Sequence, residues 1–190
     1  MTGDTAKRVM YVIVCGAGPA HDIGKLVSAA QDRAWDVYVI ATPAALDFID
    51  IKEVEALSRH EVRSAYQTPP DHSTRASGLP HADVIIVAPA TYNTINKWAS
   101  GVSDTYALGI LAEAIGLGIP IVVLPFVNSA LAAHFAFRRS VADLRTAGVH
   151  ILLGRDQWEP HPPGTGGDQI ASFPWARAVA RAESAVPSPR

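Results

Sequence analysis

Short apolar runs alternate with longer, partly polar stretches along most of this chain. The runs are bounded by glycine, proline or polar residues, which is typical of strands that are buried on both faces of a parallel sheet. The pattern predicts strands at 9–15, 36–41, 83–88, 119–124 and 149–153, with a short edge strand at 62–66.

Between these runs, apolar residues recur at helical spacing. They predict helices at 21–33, 51–59, 106–117, 129–147 and 173–184, a short helix opened by Pro43, and another helix after 88. This alternation predicts an α/β fold, a flavodoxin-like three-layer (αβα) sandwich with a mostly parallel sheet of about six strands. A single domain is expected over 1–190, with a core at 8–154, a loop at 155–173, and a terminal helix and tail at 174–190.

The turn after the run at 83–88 is rich in hydrogen-bonding side chains. Pro89 is expected to end the strand because it has no amide donor, and Thr91 or Asn93 can cap the helix that follows. Open α/β sheets bind ligands outside the carboxyl ends of their strands, which makes this turn a candidate ligand site. An ordinary capped helix is the alternative.

The first strand runs into a glycine turn at Gly16, Ala17, Gly18, Pro19 and Ala20. A strand, a glycine turn and a helix start together present free backbone amides to a phosphate. The turn lacks the third glycine of the dinucleotide fingerprint, and Pro19 has no amide to donate. A phosphate site is favoured here, and a tight structural turn is the alternative.

The stretch that begins at Pro89 resembles the signature of the flavoprotein family of homo-oligomeric, FMN-containing cysteine decarboxylases. The residues that carry the resemblance are Pro89, Ala90, Thr91, Asn93 and Thr94, followed by Lys97, Gly101 and Asp104. The resemblance runs from about 9 to about 168 and implies FMN as the cofactor.

The resemblance also implies which residues hold the flavin. They are Gly16, Ala17, Gly18, Pro19 and Ala20 in the glycine turn, Thr42 after the second strand, and Ala88, Pro89, Ala90, Thr91, Asn93 and Thr94 around the end of the strand at 83–88. In the family, the hydroxyl at the position of Thr42 helps to bind the phosphate or the ribityl chain.

Arg75 departs from the family pattern. It stands eight residues before Asp83, where the family carries an active-site histidine. Arginine stays protonated and cannot act as a general base, so Arg75 is expected to bind an anion. The alternative is that the neighbouring His72 acts as the base. We favour the interpretation that the family's acid–base step is absent.

Two further motifs are altered. The loop at 159–168 resembles the family's substrate clamp, but Gly166 replaces the clamp cysteine. The second family signature keeps Pro125 and Asn128 and replaces its large side chains, two methionines and a tryptophan, by Val127, Leu131 and Ala132. The resemblance implies that Asn128 holds a substrate carboxylate, and a plain helix N-cap is an equal alternative.

These features favour an FMN-binding enzyme that acts on a small-molecule or peptide carboxylate, with Asn128, Arg75 and His72 as catalytic candidates. The first alternative is a non-catalytic FMN-binding partner or regulatory subunit. Transfer of a prenyl group to flavin is less favoured, since no clear cluster of basic residues is present. The resemblance implies a homo-oligomer, either a trimer or a multiple of trimers.

Composition removes several other classes of function. A net charge of -2 and a pI near 6.4 give no basic surface for nucleic acid. The single cysteine, Cys15, excludes an internal disulfide and suits the cytoplasm. No group of histidine, cysteine and carboxylate has metal-ligand spacing, and the apolar run at 9–14 is too short to span a bilayer.

Overall fold

The computed structural model describes residues 8–66 and 78–186. One sheet contains the strands β1 (Val9–Val14), β2 (Asp36–Ala41), β3 (Val84–Ala90), β4 (Ile121–Pro125) and β5 (His150–Ile151). Their order across the sheet is β2-β1-β3-β4-β5, and every pairing is parallel. This is the flavodoxin-type strand order, and it confirms the predicted three-layer α/β fold.

Helices connect the strands and cover both faces of the sheet. The α-helices are α1 (Gly24–Gln31), α2 (Ile51–Ser58), α3 (Tyr92–Ala99), α4 (Tyr106–Gly116), α5 (Ser129–Ala133), α6 (Phe135–Thr146), α7 (Gly166–Gln169) and α8 (Trp175–Ala185). Two 3₁₀ helices, Gly18–Asp22 and Pro43–Asp47, follow β1 and β2 directly.

Two hydrophobic cores lie on opposite faces of the sheet. In β1, Met10 and Val12 pack into the core that contains α1, α2 and α8. The alternate residues Tyr11 and Ile13 pack into the core that contains α3, α4 and α6. Successive side chains of a strand point to opposite faces, so an uninterrupted apolar run is required to fill both cores.

The edge strand predicted at 62–66 is not present as a strand. Arg63 makes an isolated bridge to Ile40, in which its N–H donates to Val39 O at 3.0 Å and its carbonyl accepts from Ala41 N at 2.7 Å. The described residues therefore form five strands rather than about six. None of residues 62–66 is buried, so no apolar face holds a longer strand against the sheet.

Pro89 does not end its strand, contrary to the prediction. The Ala88–Pro89 peptide bond is cis, and β3 continues to Ala90, with its register against β4 shifted between Val87 and Ala90. Pro89 lacks a donor, but its carbonyl accepts from Cys15 N at 3.2 Å.

Other element boundaries also differ. The helix predicted at 129–147 is divided into α5 and α6 at His134, whose backbone is extended (φ -63°, ψ 134°). The helix predicted at 21–33 starts earlier, as the 3₁₀ turn at Gly18, and ends at Gln31. The last strand, predicted at 149–153, keeps only two residues in β5. The predicted division of the chain into core, loop and terminal helix stays a prediction.

Candidate functional site

A cavity of about 600 Å³ opens at the carboxyl ends of β1 to β4. Ligand pockets in proteins have volumes of about 300–1,000 Å³, so this cavity has the size of a small-molecule or cofactor site. It lies beside β1 and β3, where the strand order reverses and where sheets of this type bind ligands. Its lining residues are Gly16, Ala17, Gly18, Thr42, Pro43, Ala44, Thr91, Tyr92, Asn93, Thr94, Lys97, Thr105, Leu108, Phe126, Val127 and Leu131.

The glycine turn forms one wall of the cavity. A Cβ atom at Gly16 would lie 2.7 Å from the carbonyl oxygen of Ala44, so only glycine allows this close approach of the two turns. Among the described residues, the N–H groups of Gly16, Ala17 and Gly18 make no hydrogen bond. These unsatisfied donors can bind an anion.

Thr42 lies at the start of the 3₁₀ helix that follows β2. Its side chain is 8% exposed and lines the cavity. Its backbone N–H donates to Val14 O at 2.9 Å, while its hydroxyl makes no hydrogen bond within the described part of the chain. A nearly buried hydroxyl without a protein partner is suited to a ligand.

The turn that opens α3 forms the third wall. Thr91 is the N-cap, because its hydroxyl accepts from Thr94 N at 3.2 Å and lies 3.0 Å from the Thr94 hydroxyl. This decides between the two predicted caps. Asn93 is exposed at the cavity, and its side chain makes no hydrogen bond to another described residue.

Cys15 lies behind this turn and is fully buried. Burial raises the pKa of its thiol, and contacts with Thr94 and Thr91 offset part of that increase. The thiol is therefore protonated at neutral pH and does not reach the cavity as a nucleophile.

Seven of the twelve predicted cofactor-binding residues line the cavity. The other five are buried and lie outside its lining: Pro19, Ala20, Ala88, Pro89 and Ala90. Backbone contacts within the protein explain part of this placement, because Ala20 N donates to Ala17 O at 2.8 Å and Ala90 O accepts from Phe126 N at 2.9 Å. These five residues support the turns rather than face the cavity.

Of the three catalytic candidates, only Asn128 lies within the described residues; His72 and Arg75 lie outside them. The Asn128 side-chain oxygen accepts from Leu131 N at 2.9 Å and caps α5. Asn128 does not line the cavity, although its neighbour Val127 does. The capping role is therefore present, and the carboxylate-binding role stays a prediction.

Several lining residues were not among the predicted site residues. Tyr92 lies inside the first family signature, and its hydroxyl is 3.2 Å from Nδ1 of His134. Phe126 and Leu131 belong to the second signature, so the same resemblance could have indicated them. Thr105 and Leu108 carry no local signal, because only the packing of α4 brings them to the cavity.

Lys97 is the only charged residue among the described residues that line the cavity. Its Nζ is 2.6 Å from the Asp104 carboxylate, and both side chains are substantially exposed. An exposed ion pair of this kind adds little stability, and its ammonium group can still face a ligand.

Within the described residues, no group of three or more histidine, cysteine or carboxylate side chains could hold a metal ion. None of the helices in the described ranges is both long and apolar enough to cross a membrane.

Comparison with known proteins identifies the relatives of this chain. A sequence model of the family described as Flavoprotein matches residues 2–167. The coenzyme A biosynthesis bifunctional protein CoaBC of Bacillus subtilis (strain 168) is 31% identical over 147 residues, which cover 76% of this chain and 36% of that protein. A cysteine/cysteine sulfinic acid decarboxylase from an unknown prokaryotic organism is 31% identical over 71 residues, covering 37% of this chain and 19% of its own length. This chain thus spans much less than the full length of these two relatives.

Solved structures show the same fold at low sequence identity. The FMN-dependent cysteine decarboxylase SpaF aligns with a TM-score of 0.67 and 22% identity, over 94% of this chain and 98% of its own. A dodecameric FMN-dependent Ubix-like decarboxylase from Escherichia coli O157:H7 aligns with a TM-score of 0.68 and 18% identity, over 96% and 97% of the two chains. The FMN-binding protein AtHal3 aligns with a TM-score of 0.62 and 20% identity, over 87% and 94%.

Proposed function

The chain belongs to the flavoprotein family, and we propose that it binds FMN in the cavity at the carboxyl ends of β1 to β4. The observation that carries this proposal is the convergence of three separate turns, at Gly16, Thr42 and Thr91, on one cavity. In flavodoxin-type sheets, FMN binds where the strand order reverses between β1 and β3. Solved relatives described as FMN-dependent or FMN-binding support the same cofactor.

The residues around the cavity fit this cofactor. The N–H groups of Gly16, Ala17 and Gly18 would hold the phosphate, because unsatisfied amides at a turn attract anions. The hydroxyl of Thr42 would donate to the phosphate or the ribityl chain. The Asn93 side chain supplies further hydrogen-bonding groups to the opposite wall.

We infer that the substrate is a small molecule or peptide that carries a thiol and a carboxylate. Relatives described as cysteine decarboxylases support this class. When bound, FMN supplies a two-electron acceptor for the thiol, which makes loss of CO2 from the neighbouring carbon easier. The oxygen of Asn128 is used in the cap of α5, so its amide N–H groups remain to orient the carboxylate.

The pantothenate-type substrate of some relatives is not expected here. Gly166 cannot supply the thiol of the clamp cysteine, and Arg75 cannot act as a base. Arg75 lies outside the described residues, and we propose it as an anion binder with His72 as the alternative base. Phosphopantothenoylcysteine should therefore be decarboxylated poorly, if at all.

A non-catalytic FMN-binding partner is the second candidate function. The observation that favours it is the lining of the cavity, since none of the described lining residues is a histidine or a carboxylate. A binder needs no proton transfer, whereas a decarboxylase of a thiol substrate needs a base.

Flavin content tests the cofactor proposal. Protein purified from flavin-replete cells should be yellow and should release FMN on denaturation. A colourless protein that also fails to bind added FMN at micromolar concentration, an affinity of about -8 kcal/mol, would contradict the proposal. Release of CO2 from cysteine-ended peptides by the yellow protein would then distinguish an enzyme from a binder.

We also propose that the chain forms a homo-oligomer, a trimer or a multiple of trimers. One solved relative is described as dodecameric. Leu131 lines the cavity and is 39% exposed, and Phe135, the first residue of α6, is 68% exposed. Exposed apolar side chains beside a ligand cavity favour contact with a second subunit.

A further inference from the structure

We infer that His161 is the acid–base group of this cavity and takes the proton from the thiol of the substrate. The thiol substrate in this inference rests on the proposed function. The choice of His161 rests on the contacts of that residue. None of the described lining residues is a base of suitable chemistry, since Lys97 is paired with Asp104. Among the described residues, a base can therefore come only from outside this lining.

The backbone of His161 is fixed beside Asn128. The two residues form an isolated parallel bridge, and His161 O accepts from Ser129 N at 2.7 Å. Side chains of residues paired in this way project to the same side of the two chain segments. The bridge therefore sets the backbone of His161 beside that of Asn128, the residue whose amide the proposed function assigns to the carboxylate.

The imidazole ring also packs against the wall of the cavity. Its centroid is 4.9 Å from that of Phe126, and Phe126 lines the cavity. A Cβ atom at Gly166 would lie 3.1 Å from Cε1 and 3.3 Å from Nε2 of His161. The glycine that replaces the clamp cysteine thus leaves room for a histidine ring at this position.

The hydrogen bonds of the ring indicate which nitrogen can accept a proton. Nδ1 of His161 lies 2.9 Å from the carbonyl oxygen of Pro162. A carbonyl only accepts, so Nδ1 must carry the hydrogen, and the lone pair of the neutral ring is at Nε2. This is the tautomer that a base requires, and Nε2 makes no hydrogen bond to another described residue.

The chemical step is a proton transfer. The S–H bond of the substrate breaks, a bond forms between the proton and Nε2, and the electron pair stays on sulfur. A free thiol has a pKa of about 8.5, so only about 3% of it is thiolate at pH 7. A base at Nε2 would increase this fraction and so supply the reactive form.

The test uses the FMN-loaded protein and a peptide that ends in cysteine with a free carboxylate. Thiolate beside an oxidised flavin gives a long-wavelength absorbance, which is measured at pH 7 during titration. We expect His161→Gln to retain its flavin. Its long-wavelength absorbance should be at least about tenfold weaker than that of the parent, and its rate of CO2 release should be at least about 10²-fold lower. His81→Gln, at an exposed histidine before β3, is the matched control and should behave as the parent.

Equal absorbance in the Gln variant and the parent would overturn the inference, as would a yellow parent protein that gives no band with the peptide. A second measurement does not depend on the variant: ¹⁵N NMR of the histidine rings should show His161 protonated at Nδ1 in its neutral form. Protonation at Nε2 would also overturn it. A colourless parent contradicts the cofactor proposal itself, so the two failures are distinguishable.

Discussion

At the scale of single residues, Asn128 combines a structural contact with the proposed role in carboxylate binding. Its oxygen caps α5 at Leu131 N, and aspartate caps helices about as well as asparagine. We expect Asn128→Asp to change the free energy of unfolding by less than about 1 kcal/mol. The new negative charge should abolish binding of the cysteine-ended peptide without loss of flavin.

The measurements are urea unfolding, flavin content and peptide titration of the same preparation. Asn128→Ser is the matched control for capping and stability, because it keeps a capping oxygen without adding a charge. Equal peptide binding by the Asp variant and the parent would leave capping as the whole role of Asn128.

Tyr11 gives a prediction about pH. Its side chain is 8% exposed, its hydroxyl donates to Pro80 O at 2.5 Å, and burial, with smaller effects of Tyr106 and Tyr38, raises its pKa to about 12. The folded protein therefore stabilises the neutral phenol. Its contribution is complete below the ordinary tyrosine pKa of about 10 and is lost as pH rises through 12.

Tyr11→Phe removes both the hydrogen bond and this pH dependence. At pH 7 the variant should be less stable by about 1 kcal/mol. Between pH 10 and 12 the parent should lose up to about 1.4 kcal/mol of stability per pH unit relative to the variant, so the difference should vanish and then reverse. Urea unfolding at pH 7 and pH 11 measures this, with Tyr66→Phe at a 68% exposed ring as the control. A difference that stays constant with pH would show that Tyr11 ionises equally in both states.

Site residues could be predicted from the sequence where they lie in a turn directly after a strand. Thr42 and Thr91 line the cavity, and each follows a strand directly. The family resemblance implied Thr42, and the polar turn after the strand at 83–88 indicated Thr91. His161 was not predictable in this way, because its neighbours Asn128 and Phe126 are more than thirty residues away in the chain.

At the scale of elements, the contact between the glycine turn and the second 3₁₀ helix is the feature that shapes the cavity. A Cβ at Gly16 would meet the backbone oxygen and carbon of Ala44 at 2.7 and 2.9 Å, and backbone atoms cannot move aside as a flexible side chain can. We expect Gly16→Ala to cost about 1–3 kcal/mol of stability. Because the displaced amides are the proposed phosphate donors, FMN affinity should fall by at least about tenfold, or about 1.4 kcal/mol.

FMN titration of the apoprotein and urea unfolding check this prediction. Gly167→Ala is the matched control, since a Cβ there would meet no atom within 4 Å. If Gly16→Ala binds FMN as the parent does, the glycine turn is not part of the cofactor site.

Element type was predictable from periodicity, while element ends were determined by distant contacts. The apolar pattern at 129–147 is continuous and does not indicate a break. The break lies at His134, whose Nδ1 accepts from Ala136 N at 3.2 Å and lies 3.2 Å from the hydroxyl of Tyr92, 42 residues away. The extension of β3 through Pro89 likewise depends on distant residues, because Ala90 pairs with Pro125 of β4 and the Pro89 carbonyl accepts from Cys15 N, just after β1.

At the scale of the whole molecule, the parallel α/β architecture follows from two observations on the sequence. The apolar runs require both faces of the sheet to be covered, and the helices between them provide the cover. The segment that includes His161, Gly166 and Ile170 lacked such a pattern, so its position could not be predicted. In the structure this segment packs against the site. Cδ1 of Ile170 lies 3.1 Å from the position that a Cβ atom added to Gly18 would occupy.

The proposed oligomer gives the last prediction. Phe135 is 68% exposed at the start of α6, and its ring stacks on His134 with the ring centroids 4.6 Å apart. Burial of such a ring between subunits contributes about 1.5–3 kcal/mol per copy, so Phe135→Ser should weaken assembly and lower the mass measured by light scattering toward the 20.2 kDa protomer. Leu117→Ser, at a side chain that is 66% exposed and lines a different cavity, should leave the mass unchanged. A parent protein that is already monomeric, or a Phe135→Ser variant with the parent's mass, would remove Phe135 from any subunit contact.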